Sequence, residues 1–415
     1  IGGIFLGLLH LAKFSSILTL PVLGLVLVAY PLFKKLKPNK SRLKEWFIYM
    51  GRGITAFIIS LVMIWSLYAV NTFNTPQDVM AQAIDFNFPA HDENIKNVYT
   101  RDILHSLNET SLTRPLAEYG IGMGYVFRRV AGGNGAYFMG EVSDSAFASY
   151  FPTVFVLKET IPLLILILLT SIYTIYRIIS SIKFGYKEFF EENFKSFLNW
   201  MRTGVTQYVL FGFILLYSYL SITGNLNIGL RHLFPIFPFI YILVAKKVHD
   251  FFRETHKRKL MLPKYLLTGL IIWILFEPIA SYPYYMSYFN QFAGGPKNGY
   301  QYVTDSNADW GQDLKRLKWF LEDHPEIDKI RVDYFGGGNP SYYLGEKYIP
   351  WWDSKRPIEK GWYAVSTNFL QGSIYETRLK EDGTPRKPDD ESWRWVLNHE
   401  PEYQIGTSIF IYRVE

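Results

Sequence analysis

The sequence predicts a polytopic α-helical membrane protein of about six spans, followed by a small extracytoplasmic α/β domain. Three observations predict it. Apolar runs long enough to span occur at about 4–33, 46–70, 152–180, 204–222, 231–247 and 264–282, against the ~20 residues that a membrane-crossing helix needs. Basic residues gather in short stretches between those runs. The final third loses the long runs and takes up shorter alternating patterns. The chain of 415 residues is therefore divided into a transmembrane region, 1–282, with a long outer loop at 71–151, and an extracytoplasmic α/β domain, 283–415.

The first run is overlong and contains Lys13 and Pro21, so it reads either as one kinked helix or as two shorter pieces. Orientation follows from the loops. Lys34, Lys35, Lys37, Lys40, Arg42 and Lys44 fill one of them; Lys246, Lys247, Arg253, Lys257, Arg258, Lys259 and Lys264 fill another. The stretch 181–203 is aromatic and mixed in charge, as expected of an interfacial helix. If the spans alternate, all three lie on one side, which the positive-inside rule makes cytoplasmic. The net charge of +6 has the same origin, and nucleic acid is not expected as a partner. The absence of cysteine excludes thiolate catalysis, Cys-ligated metal and disulfides. Because the chain opens at Ile1 inside an apolar run, without a charged leader, it reads as a fragment whose N-terminal portion is missing.

Within the tail, Asp309-Trp310-Gly311-Gln312 has the form of a capping box opening a helix through about Glu322. Lys329–Phe335 alternates like a strand and runs into the turn Gly336-Gly337-Gly338-Asn339-Pro340. Trp362–Thr367 and Gln404–Arg413 read as further strands, and 380–391 as a charged surface loop.

The sharpest candidate site is the turn Asn225-Leu226-Asn227-Ile228-Gly229-Leu230-Arg231-His232-Leu233-Phe234-Pro235. A guanidinium and an imidazole at the outer mouth of a span, after a glycine turn, suit an anionic headgroup such as a phosphate. The simpler alternative is that Arg231 snorkels to the interface. Lys158 either binds a lipid phosphate as a point charge or anchors its helix. Glu141 lies in the Gly-rich stretch Gly132–Ser143, which has no P-loop Gly-Lys-Ser/Thr. His10 and Lys13 share a helix face in the first run, and bundle-interior polar roles are expected of such groups. Asp305, Asp309 and Asp313 recur every four residues, but capping accounts for them better than a metal site does. His91-Asp92-Glu93 lacks metal spacing, Asn108-Glu109-Thr110 matches a common glycosylation tripeptide, and Glu277 sits near the outer end of the last run.

Several stretches together resemble the dolichyl-phosphate-mannose–protein mannosyltransferase-like membrane glycosyltransferases (family 39, GT-C fold). Asn227-Ile228-Gly229-Leu230-Arg231-His232-Leu233-Phe234-Pro235 is similar to that group's N-x-G-x-R-H-L-x-P, and Gly7–Lys13 to its G-L-x-x-x-x-K helix. The loop Gly132–Ser143 with Tyr150-Phe151-Pro152 and Lys158, then Tyr288–Pro296 and Asp305–Leu314, follow in the same order. The resemblance implies a GT-C-like architecture and sugar transfer from a polyprenyl-phosphate donor to a glycan, lipid or protein acceptor on the outer face of the cell membrane. It implies Arg231, His232, Lys158 and Glu141 as donor phosphate- or sugar-binding residues, with no cofactor called for and a divalent metal left open. The family's acidic base lies in the first outer loop, before the first residue of this chain, so none is assigned. A transporter or flippase of a lipid-linked sugar would also need outer cations, but should show inverted repeats or matched broken helices. A membrane-anchored binding protein would leave His10, Lys13 and the Arg-His turn without a role.

The topology is tested by cysteines placed in this cysteine-free chain. In intact cells a membrane-impermeant maleimide should label Pro385→Cys and leave Lys40→Cys unmodified. Labelling of Lys40→Cys with Pro385→Cys protected would reverse the orientation.

Overall fold

The computed structural model describes residues 1–38, 40–91, 94–182, 186–255, 261–353 and 356–415. Two compact units result: Ile1–Gly132 with Tyr176–Tyr219, and Gly133–Ile175 with Leu220–Glu415. The division does not follow the expected boundary at 282, because the second half of the apolar region clusters with the tail.

In the first unit the overlong run resolves into two pieces. Helix α1, Gly2–Ala12, ends at Lys13, whose backbone is extended, and a 3-10 turn at Phe14–Leu18 leads into α2, Thr19–Phe33. Pro21 falls in the first turn of α2, where its missing N–H costs no helical bond. The long α3, Arg42–Thr72, packs on α1 through glycines. A Cβ on Gly3 would lie 2.6 Å from the Ala56 carbonyl oxygen, and one on Gly7 2.9 Å from Met63 Cβ. Small residues that let backbones approach this closely are what hold helices together where lipid removes the hydrophobic drive. Helices α4 (Gln77–Asn87), α5 (Ile95–Asn108) and α6 (Arg114–Gly132) occupy the long loop. Asn108 is buried and its amide is fully used, donating to the Gln77 carbonyl and accepting from Arg114, so the glycosylation tripeptide is not an available acceptor.

In the second unit a hairpin of β1 (Ala136–Phe138) and β2 (Glu141–Ser143) precedes α7, Tyr150–Lys158. The expected span 152–180 is broken at Glu159, which is extended, and α8, Ile161–Ser181, resumes with Pro162 in its first turn. The α7 carbonyls left free there are met by Asn290, whose amide donates to Val156 and Glu159 carbonyls at 2.6 and 2.7 Å. Helix α9 (Tyr186–Thr203) and most of α10 (Val205–Thr223) belong to the first unit; where the chain re-enters the second, a 3-10 turn at Leu230–Ile236 leads into α11, Phe237–Thr255. The turn consumes the start of the run expected at 231–247, leaving only Phe237–Ala245 apolar before Lys246. Among the described residues, five helices are long and apolar enough to cross a membrane: Phe14–Phe33, Arg42–Thr72, Ile161–Ser181, Val205–Thr223 and Leu262–Ala280. The sixth expected span, α11, is not one of them. It nevertheless runs parallel to α8, joined by Tyr241 to Glu159 at one end and by Glu254 to Tyr173 at the other. Helix α12, Leu262–Ala280, returns the chain to the level of Glu159, where Asn290 is bonded.

The tail builds one five-stranded sheet. Its helices are α13 (Leu314–Asp323), α14 (Pro340–Leu344) and α15 (Thr367–Ile374). Its strands are β3 (Ile330–Asp333), β4 (Tyr348–Pro350), β5 (Gly361–Ser366), β6 (Tyr403–Ile405) and β7 (Ile409–Val414), ordered β4-β3-β5-β7-β6. The first three are parallel and β7 runs antiparallel to both its neighbours. Alternation fills both faces. Ile330, Val332, Ala364, Ile409 and Ile411 meet Leu314, Leu317 and Leu321 of α13 and Leu344 of α14. Tyr363, Val365, Phe410 and Tyr412 meet Leu370 of α15 and Trp393. The charged loop 380–391 is tied down by Arg386, which with Arg378 pairs to Asp144.

The expected helix start at Asp309 is corrected. Asp309 and Gln312 close a separate turn, accepting from the N–H groups of Gly311 and Trp310 respectively, and the helix begins at Leu314. Asp313, fully buried, turns its carboxylate to the β6–β7 turn instead, accepting from the N–H groups of Thr407 and Ser408 at 2.8 and 2.9 Å and pairing with Arg316. Removing one partner of a buried ionic network typically costs about 3–5 kcal/mol. Asp313→Ala should therefore unfold the tail at a clearly lower temperature, read by limited proteolysis of the detergent-purified chain; an unchanged midpoint would show that the β6–β7 turn does not rely on this carboxylate.

Candidate functional site

The turn 225–235 is held from both sides by groups distant in sequence. Asn225 and Asn227 accept from the N–H groups of Ala146 and Phe147 at 2.7 and 2.6 Å. Asn307, also fully buried, accepts from the Leu230 N–H at 2.9 Å and donates to the Tyr150 hydroxyl at 2.7 Å. The Ser306 hydroxyl donates to the Ile228 carbonyl. Gly229 is required twice over: its φ is +124°, and a Cβ would stand 2.2 Å from the Ser306 oxygen. Burial raises the Tyr150 phenol above its usual range, so it stays protonated as the acceptor of the Asn307 amide.

These contacts place Arg231 at the start of a 3-10 turn with its guanidinium over the Trp310 ring, 4.1 Å from the centroid. Among the described residues it makes no hydrogen bond or ion pair, and its buried Nε donates to nothing. The buried Nδ2 of Asn227 likewise lacks an acceptor. Buried donors without partners are uncommon enough to call for an explanation, and these two lie four residues apart on one turn. His232 follows, half-buried, with its N–H bonded to the Gly229 carbonyl at 3.2 Å.

Lys158 reaches the same segment differently. Its ammonium donates to the carbonyls of Met286 (3.1 Å) and Asn307 and lies 4.3 Å from the Phe289 ring centroid. Two of its three N–H groups thus join α7 to the tail, which is neither a lipid-facing anchor nor an uncommitted phosphate ligand. Arg231 and Lys158 converge on residues 307–310, through a ring and a carbonyl, but no described contact joins them. Glu141 is exposed opposite Phe138 in the hairpin, and none of the described contacts brings its carboxylate to Arg231, His232 or Lys158. The hairpin itself docks on the tail, Met139 N–H donating to Tyr302 at 2.8 Å.

In the other unit, His10 is buried with Nδ1 2.9 Å from the Ser16 hydroxyl, whereas Lys13 lies exposed at the helix break, not in the interior expected for it. Glu277, in the second unit, is buried and accepts from Trp273, Gln291 and Tyr288. Asp305, Asp309 and Asp313 do not share a helix face, because 305–307 is a 3-10 turn and 309–312 a separate one; no cluster of metal-binding side chains occurs among the described residues. Of His91-Asp92-Glu93, the last two lie outside the described residues. Sequence reasoning missed Trp310 and Asn307 as site residues, although both stand in a stretch singled out by resemblance. Stacking and amide bridging leave no spacing signature.

No protein-family model, curated protein or solved structure matches this chain.

Asp309, beside the stacked tryptophan, is fully buried, and its Oδ2 accepts no hydrogen bond. Burial pushes its carboxyl up to about 7. Between the unfolded value of ~3.9 and 7 the folded chain holds a proton that the unfolded chain has released. That group's contribution therefore favours folding at low pH and is lost as pH rises through 7, by on the order of a few kcal/mol. Asp309→Asn should raise the melting temperature relative to the parent, and by more at pH 8 than at pH 5. An equal shift at both pH values would contradict the buried acid.

Proposed function

We propose that the chain carries the donor-binding part of a membrane glycosyltransferase, which takes a sugar from a polyprenyl-phosphate donor on the extracytoplasmic face and transfers it to an acceptor hydroxyl. The bond broken joins the anomeric carbon to the donor phosphate; the bond formed joins that carbon to the acceptor oxygen, whose proton passes to a base. Arg231 meets the charge that develops on the departing phosphate, which is the term such a transfer most needs. The observation that carries the reading is that guanidinium, held over the Trp310 ring with no anion of its own. A cation fixed in place by an aromatic face and by neighbouring backbone bonds is preorganised for an incoming anion. The Asn227 amide supplies a second donor on the same turn. Support comes also from assembly: the stretches that carry the family resemblance, 132–158, 227–235, 288–296 and 305–314, are distant in sequence yet bonded to one another within one compact unit. His232 and Glu141 are the weaker members of the set, and no base is assigned.

The test is sugar transfer from a polyprenyl-phosphate sugar by the full-length protein in membranes. Loss of a buried charge contact typically costs about 2–5 kcal/mol, so Arg231→Ala should reduce transfer by well over tenfold. Arg231→Lys should recover part of it, since the planar fork and its stacking are lost. Full activity of Arg231→Ala would remove Arg231 from the site.

A further inference from the structure

The parallel strands β3 and β5 are neighbours, yet the chain leaves their carboxyl ends toward opposite faces of the sheet. From β3 it passes to α14, which packs with α13; from β5 it passes to α15, which packs with Trp393. Divergence of this kind opens a crevice between adjacent loops, and in open α/β sheets it is there that ligands bind.

What lines this crevice has a consistent chemistry. Gly336, Gly337 and Gly338 are exposed to solvent, Gly336 backing on Gly311 and the Tyr334 hydroxyl and Gly338 on Leu314, so that Gly337 alone of the three faces open space. A Cβ on Gly337 would meet nothing within 4 Å, and its backbone is not left-handed. On the β5 side stand Asn368 and Phe369, the latter 37 % exposed and in edge contact with Phe335. The segment Asp305–Gly311 is clipped onto the same place by two bonds, the Tyr334 hydroxyl donating to the Gly311 carbonyl at 2.9 Å and the Asp305 N–H to Asn368 Oδ1 at 3.0 Å, while the Phe335 N–H donates to Ser366 Oγ at 3.0 Å and ties the base of the β3 loop to the end of β5. That clip brings Trp310, half exposed, to the rim. Two fully buried polar atoms without partners, Asp309 Oδ2 and Thr367 Oγ1, belong to the segments that meet there. Buried polar groups left without partners each call for an explanation, and a ligand's hydroxyls would supply one for these two.

We infer that the crevice at the carboxyl ends of β3 and β5 binds a neutral saccharide, with Trp310 and Phe369 as stacking faces and the Gly336–Gly338 backbone and Asn368 as hydrogen-bonding groups. Aromatic faces, bare backbone and a neutral amide match a ring bearing hydroxyls and C–H faces; a charged ligand would find no counter-charge on the β3 and β5 loops. Because Trp310 also carries Arg231, the saccharide sits next to the donor phosphate. In the reading proposed above, on which this clause rests, it is the acceptor.

Binding is tested apart from turnover. Saturation-transfer difference NMR on the full chain in nanodiscs, with mannotriose, chitotriose and galactotriose as probes, should show contact for at least one of them. Gly337→Val, which fills the open side without backbone strain, and Phe369→Ala should each abolish that signal. In the transfer assay the same substitutions should raise the acceptor KM by roughly tenfold and leave the donor KM unchanged. Saccharide contact that survives both substitutions, or no contact with any probe, overturns the inference. Contact that the substitutions remove, in a protein without transfer activity, upholds the saccharide site and counts against the glycosyltransferase reading alone.

Discussion

Asn307 has no solvent exposure, and its side-chain amide and main-chain oxygen are both engaged: the amide with Leu230, Tyr150 and the Thr304 carbonyl, the main-chain oxygen with Lys158. One buried amide thus joins α7, the Arg231 turn and the segment that opens the tail. A buried amide is costly unless every donor and acceptor is met, so this arrangement fixes one register for three segments and tolerates few others. Gly229 has its glycine-only conformation because Ser306 is packed against it. Arg231 comes to lie over Trp310 because the residues on either side of each are pinned.

The same bonds explain how helices and sheet cooperate in the second unit. Helices α11 and α12 lead away from the Arg231 turn and back, and Asn290 receives the returning chain by capping the broken end of α7. Breaking the apolar run at Glu159 costs helical bonds, and the amide of Asn290 replaces them. The break frees α7 to pack against the tail, where Lys158 secures it. A straight helix through 152–180 would leave the lysine without its two carbonyls.

Much of this was legible in the sequence, and the boundary of legibility has physical causes. Apolar runs report helices directly, because length and hydropathy are local properties, and five of the six proved long and apolar enough. The last strands and the Gly336–Pro340 turn were read from period-two alternation and turn chemistry in the same way. The helix start failed because Asp309 and Asp313 are equally good caps by composition. Both are buried; it is Asp313 that borders the helix, with its carboxylate drawn to the Thr407 and Ser408 N–H groups, nearly a hundred residues away. Lys13 and Pro21 marked the first run as kinked or divided, but not that Lys13 lies exposed at the break. Arg231 was singled out by residue type, whereas its stacking on Trp310 and the bridging role of Asn307 are tertiary and leave no pattern to read. Lys158 was visible as a cation, but not its use of backbone carbonyls.

The central claim is that Arg231 stands ready for an anion at the junction of these segments. It is tested most directly by a cryo-EM structure of the full-length protein in nanodiscs with a polyprenyl-phosphate sugar. The account predicts the phosphate within hydrogen-bonding distance of the Arg231 guanidinium, with the guanidinium still on Trp310 and the Asn227 amide donating alongside. A phosphate bound elsewhere, with Arg231 facing acyl chains, would contradict it.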